Sequence, residues 1–183
     1  MRFLVVLFLA FTGFVTLPDA HAKVDVAAGD GFRVTIKQDS LLPPEEAYQK
    51  FVSEFSQWYD ARHSYSMDAR NLSLDLDDRC MLEKLPDGGF VRHMEIVFHQ
   101  PGKLIRLAGG LGPLQGMGIQ GAMTVSFLPA QEGSQVTLTY VVTGASFLTL
   151  DKIAGPVDQV LTEQMTRFQK HCDAVKPGGD SKG

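Results

Sequence analysis

The sequence predicts an α+β domain in which a curved antiparallel sheet is covered by one long C-terminal helix. Three observations predict it. Apolar residues recur at helical spacing across about 44–59 and again after 151. Between those stretches the apolar period is two. Turn residues cut that middle stretch into short runs, which is the pattern of hairpins in an antiparallel meander.

The chain opens on Met1-Arg2 and an apolar run, Phe3 to Phe11, followed by Gly13, Pro18 and Ala20-His21-Ala22. A positive start, a short apolar middle and small residues at a cut site are the parts of a secretory signal peptide. Residues 1–22 are therefore expected to be removed on export, with cleavage after Ala22. A membrane anchor needs ~20 unbroken apolar residues, and Thr12, Gly13, Thr16, Pro18 and Asp19 interrupt this run. Localisation is expected to be periplasmic or secreted. Residues 23–30 are small and polar and read as a linker.

Phe32-Arg33-Val34-Thr35-Ile36 alternates and reads as a strand. Pro44 suits the first turn of a helix, and Glu45 and Glu46 suit its positive end. Ala47, Tyr48, Phe51, Val52, Phe55, Trp58 and Tyr59 then share helical spacing, giving one helix or two short ones. Strands follow at Leu72–Leu76, Cys80–Leu85 and Phe90–Phe98, with a turn at Pro86-Asp87-Gly88-Gly89. Pro101-Gly102 turns into Leu104–Ala108. The clearest strands are Met123–Phe127 and Val136–Val142, joined by Glu132-Gly133-Ser134. In the last helix Ile153, Val157, Val160, Leu161, Gln164, Met165 and Phe168 follow the i, i+3, i+4, i+7 rule. The tail, 174–183, is rich in glycine and charge and is expected to fray.

Without its leader the chain keeps about 160 residues, enough for one domain with a substantial core. The formal net charge is -4, with no cluster of Lys and Arg. Nucleic acid and anionic membrane are poor partners for such a surface. The mature part has no second long apolar run, so insertion in a membrane is not expected, and the domain reads as a monomer. The two cysteines, Cys80 and Cys172, lie far apart in sequence and form no metal-binding pair motif. Export permits a Cys80–Cys172 disulfide without requiring it, and two buried free thiols are the alternative.

The element order, Pro-Glu-Glu-Ala at 44–47 leading to Trp58, and Leu85-Pro86-Asp87-Gly88-Gly89 together resemble a known family. So do Pro101-Gly102-Lys103-Leu104, Gly109-Gly110-Leu111-Gly112-Pro113-Leu114, Thr139-Tyr140-Val141-Val142-Thr143-Gly144 and the last helix. Across about 31–173 the chain resembles the START-like, or SRPBCC, superfamily, which includes lipid-transfer domains and aromatic polyketide cyclases. The resemblance implies the helix-grip fold, with two short helices after the first strand and a cavity between sheet and C-terminal helix. These are structural signatures and none is a catalytic motif.

Several motifs invite chemical readings. Gly116-Met117-Gly118-Ile119-Gln120-Gly121 matches G-x-G-x-x-G, but a loop precedes it and a strand follows, so no βαβ unit supports a nucleotide. His93, Glu95 and His99 share a face of an unbroken strand, opposite Phe90, Met94, Ile96 and Phe98. The His/Glu face then reads as the wet one rather than as a metal site. Asp75, Asp77, Asp78 and Glu83 fall at turns or on polar faces. His63 sits in a loop with no visible partner. No nucleophile elbow is present, and neither cysteine has an activating neighbour. No cofactor is expected and no catalytic residue is assigned.

The informative set is apolar. Phe55, Trp58, Leu74, Met94, Ile96 and Met123 are expected to line the space between sheet and helix, with Phe127, Tyr140, Val157, Leu161 and Phe168. Such a set is either a filled core or the wall of a cavity for an apolar ligand, and the resemblance favours the cavity. Arg92, Arg106 and Gln164 are candidates for its polar contact. The preferred function is the non-catalytic binding of a small hydrophobic or amphipathic molecule. The alternative is a polyketide cyclase- or dehydratase-like enzyme using the same cavity.

Overall fold

The computed structural model describes residues 21–174. The expected signal peptide lies outside them except for His21 and Ala22, and so does the expected tail except for Ala174. Within them the chain adopts the helix-grip fold, α+β, with a curved antiparallel sheet around a long C-terminal helix.

Strand β1 (His21–Ala28) and β2 (Gly31–Ser40) form a hairpin. Helices α1 (Pro44–Ser53) and α2 (Phe55–Trp58) follow. Then comes the meander β3 (Leu72–Asp75), β4 (Cys80–Lys84), β5 (Phe90–Gln100), β6 (Leu104–Ala108), β7 (Gln120–Pro129) and β8 (Ser134–Thr143). Helix α3 (Asp151–Asp173) closes the fold. The sheet order is β1-β2-β8-β7-β6-β5-β4-β3, so β8 pairs back onto β2.

The expected linker at 23–30 is a strand and its turn. Val24 pairs with Val34, and a bulge lies between Val24 and Val26. An edge strand needs little side-chain burial, and Asp25 to Ala28 are exposed. That is why small polar residues hid it. The two short helices consequently follow the second strand, not the first.

The inner face of the sheet comes from strict alternation. Val136, Leu138, Tyr140 and Val142 of β8 are buried, as are Phe32, Val34 and Ile36 of β2. Phe51 of α1 and Trp58 of α2 pack on Phe168 of α3, with ring centroids 5.2 and 5.3 Å apart. Phe127 of β7 joins Phe51 at 5.6 Å. These rings fill the half of the helix–sheet interface beneath the C-terminal part of α3.

The cysteines are free thiols on opposite faces of the sheet, which removes the disulfide. Cys80 is paired across β4 with Asp75 and Glu95, outward-facing residues, whereas its neighbour Met81 points inward with Leu74 and Met94. Cys172 belongs to the inward stripe of α3. Burial pushes its thiol up to about 12, an effect that a hydrogen bond with Ser40 only partly offsets.

Candidate functional site

Beneath the N-terminal half of α3 the interface is not filled. A cavity of about 440 Å³ lies there. Its roof is Ile153, Pro156, Val157, Val160 and Leu161 of α3. One wall is Leu111, Pro113, Leu114 and Met117, carried on the 3-10 turn Gly112–Met117. The segment after α2 supplies Tyr59, Arg62, His63, Ser64 and Tyr65, and the sheet supplies His93 and Tyr140. The volume suits a small organic molecule, and the lining is apolar with polar groups gathered on one side.

The glycine-rich segment therefore works as a cavity wall. It leads into strand β7 rather than into a helix. Tyr140 anchors it. The Tyr140 hydroxyl accepts from the Leu111 N–H at 3.1 Å and donates to the Gly109 carbonyl at 3.1 Å. Burial pushes that phenol up to about 12, against the opposing effect of the Leu111 bond. Gly121 allows this approach, because a Cβ there would stand 2.2 Å from the Gly109 carbonyl oxygen and 2.8 Å from the Tyr140 hydroxyl.

The polar side of the cavity includes His93, which is paired with the buried Glu83. His93 Nε2 lies 2.8 Å from Glu83 Oε2, and the side chains are 2% and 0% exposed. The Ser66 N–H donates to Glu83 Oε1 at 2.5 Å. Burial raises the Glu83 carboxyl, but bonds from Ser66, His93 and Tyr65 outweigh it and hold the group below its ordinary range. Tyr65 stacks on the His93 ring, with centroids 5.9 Å apart. At the rim, Arg62 grips Asp60 through both carboxylate oxygens, and His63 Nε2 is 3.2 Å from Glu163.

His93 faces inward because β5 is bulged. In the β4–β5 ladder Met81 pairs with Met94 and Leu82 with Arg92, so His93 is the extra residue, and it is buried beside Met94. A second irregularity falls between Ile96 and Phe98. These two shifts overturn the expected faces of the strand. Phe90 and Phe98 are exposed at 70% and 45%, Phe98 lying under the Arg106 guanidinium. Glu95 points outward, paired with Cys80 and Ala108. His99 pairs instead with the inward Ile105 and bonds the Tyr48 hydroxyl. His93, Glu95 and His99 thus do not share a face. Glu83, read from sequence as a polar-face residue, is fully buried.

Of the expected wall residues, Tyr140, Val157 and Leu161 line the cavity. Phe55, Trp58, Leu74, Met94, Ile96, Met123, Phe127 and Phe168 are buried in the adjoining core instead. Arg92 and Arg106 are exposed on the outer face, with Arg92 donating to the Asp78 carbonyl and Arg106 to Thr124. Gln164 is buried and accepts from the Asp60 N–H at 2.8 Å. The sequence reasoning missed His93, Glu83, Tyr65 and the 3-10 turn as site residues. The one signal available was the pair of consecutive inward candidates a bulge would create at His93-Met94.

A helix gripped by an antiparallel sheet, with a hollow under one end of the helix, defines the chain as a helix-grip domain with a cavity. No family model matches it, and no curated protein matches it in sequence. Solved structures share its fold. An uncharacterised protein from Rhizobium leguminosarum is similar at 15% identity and TM-score 0.57, over 86% of this chain and 100% of that one. Protein MLL2253 from Mesorhizobium loti is similar at 11% identity and TM-score 0.57, over 79% and 98%. The di-domain ARO/CYC StfQ from the steffimycin biosynthetic pathway is similar at 12% identity and TM-score 0.54, over 80% of this chain and 52% of that one. At these identities the likeness establishes the fold.

Proposed function

We propose that this chain is an exported, START-like protein that binds a small hydrophobic or amphipathic molecule beneath α3 and does not transform it. The observation that carries the reading is the cavity of about 440 Å³, with one apolar roof and one polar flank. Burial of apolar ligand surface there supplies the affinity, at ~25 cal/mol per Å² of area removed from water. Export is supported by the order of charged, apolar and small residues in 1–22.

The test is a titration with N-phenyl-1-naphthylamine, whose emission rises in apolar surroundings. Wild-type protein should give a saturable rise. Leu161→Trp, which adds bulk to the cavity roof, should weaken it by about tenfold or more while leaving the fold intact. A signal that is unsaturable, or indifferent to Leu161→Trp, refutes the reading.

A second reading is favoured by one observation, the pairing of the cavity-lining His93 with the buried Glu83. Such pairs serve acid–base chemistry, and the ARO/CYC likeness is in keeping with an enzyme of the cyclase or dehydratase kind. A ligand recovered chemically unchanged after prolonged incubation supports carriage, and a transformed one supports catalysis.

A further inference from the structure

We propose that His93, oriented by Glu83, is the hydrogen-bond acceptor for a hydroxyl group on the apolar ligand. The cavity then selects apolar alcohols and phenols over matching hydrocarbons and carboxylates. The inference rests on the ligand-binding reading above.

The argument starts from Glu83. Its Oε1 takes the Ser66 N–H and its Oε2 lies 2.8 Å from His93 Nε2. An ionised carboxylate only accepts, so the proton between the two sits on Nε2. In the Nε2–H tautomer that this bond selects, Nδ1 carries a bare lone pair. That nitrogen is buried and has no hydrogen-bond partner among the described residues. A buried acceptor without a donor is costly, and a donor from the ligand recovers that cost. His93 lines the cavity, as do apolar Leu114 and Leu161. Tyr65, which is 53% exposed, stacks on the face of the ring.

Ligand chemistry follows. A hydrocarbon fills the space and leaves Nδ1 unpaired. A carboxylate brings no donor and sets a second negative charge near Glu83. A hydroxyl donates to Nδ1 and leaves the Glu83 bond undisturbed.

The experiment is calorimetry with naphthalene, 1-naphthol and 1-naphthoate on the full mature chain. 1-Naphthol should bind at least about tenfold more tightly than the other two, the value of one hydrogen bond in an apolar site. Nitrogen-15 spectra of the wild-type histidines should show Nδ1 of His93 unprotonated and shifted by 1-naphthol alone. His93→Phe/Glu83→Gln keeps an acceptor for the Ser66 N–H and removes the lone pair. It should bind naphthalene and 1-naphthol alike, as the wild type binds naphthalene. Equal binding of naphthalene and 1-naphthol, or a protonated Nδ1, overturns the inference and leaves the cavity reading standing. Binding of none of the three overturns both. Should the double variant not fold, the wild-type nitrogen spectrum decides.

Discussion

Glu83 holds a charge where there is no solvent exposure, and its neighbours make that tolerable. The Ser66 and Tyr65 backbones and the His93 ring all stabilise the ionised form, so its carboxyl sits below its ordinary value of 4.5. The folded protein therefore holds that proton less readily than the unfolded chain does. The stabilisation is fully present above pH 4.5 and is lost as pH falls through the folded value. Glu83→Gln keeps the shape and the acceptor for Ser66 but not the charge. It should cost about 1–3 kcal/mol near neutral pH. Urea midpoints measured from neutral to acid should show the gap from wild type closing as pH drops. A gap that stays constant contradicts the pairing.

Element by element, β5 and α3 make the site. The bulge in β5 puts two consecutive residues, His93 and Met94, on the inner face, so one strand contributes both a core side chain and a polar one. Periodicity carries no mark of such an insertion. An alternating strand read without it sends His93 to solvent and Phe98 to the core, the reverse of what forms. The strands β2, β7 and β8 pair with one another without irregularity and are legible because most of their inward positions are apolar, with Gln38 and Ser40 of β2 and Ser134 of β8 the buried polar exceptions. The register of β2 on β8 runs unbroken from Gly31–Thr143 to Ser40–Ser134. Helix α3 was legible from its stripe, but its first turns carry Gly155 and Pro156. Pro156 offers no N–H to the Lys152 carbonyl, and Gly155 adds backbone freedom beside it. A Cβ at Gly155 would meet nothing within 4 Å beyond its chain neighbours. The next residue is Pro156, whose ring crowds the Cβ of a helical residue before it. Gly155→Ala should therefore fall short of the ~1 kcal/mol gain of an ordinary helix site, with a denaturation midpoint that stays level or falls at unchanged slope. A full gain contradicts that crowding.

Across the whole molecule, one end of the helix–sheet interface is packed with rings and the other end is hollow. The sequence marks both ends with the same apolar spacing, because period reports which face is inward and not how much space lies beneath it. Trp58 and Phe168 therefore looked like cavity wall and are core, 5.3 Å from each other. The true wall came from the 3-10 turn Gly112–Met117 and from the irregular segment ending at Tyr65, which have no period to read. The fold was legible as a class and an element order, and the cavity through Tyr140, Val157 and Leu161 alone among its walls. The claim that this hollow holds an apolar ligand is tested most directly by a methyl carbon-13 spectrum during titration with 1-naphthol. Saturable shifts should appear at Leu111, Leu114, Ile153, Val157 and Leu161, which line the cavity, and be absent at Val34, Val125 and Val136 in the filled core. Shifts spread evenly over both groups, or no saturable shift at all, would contradict it.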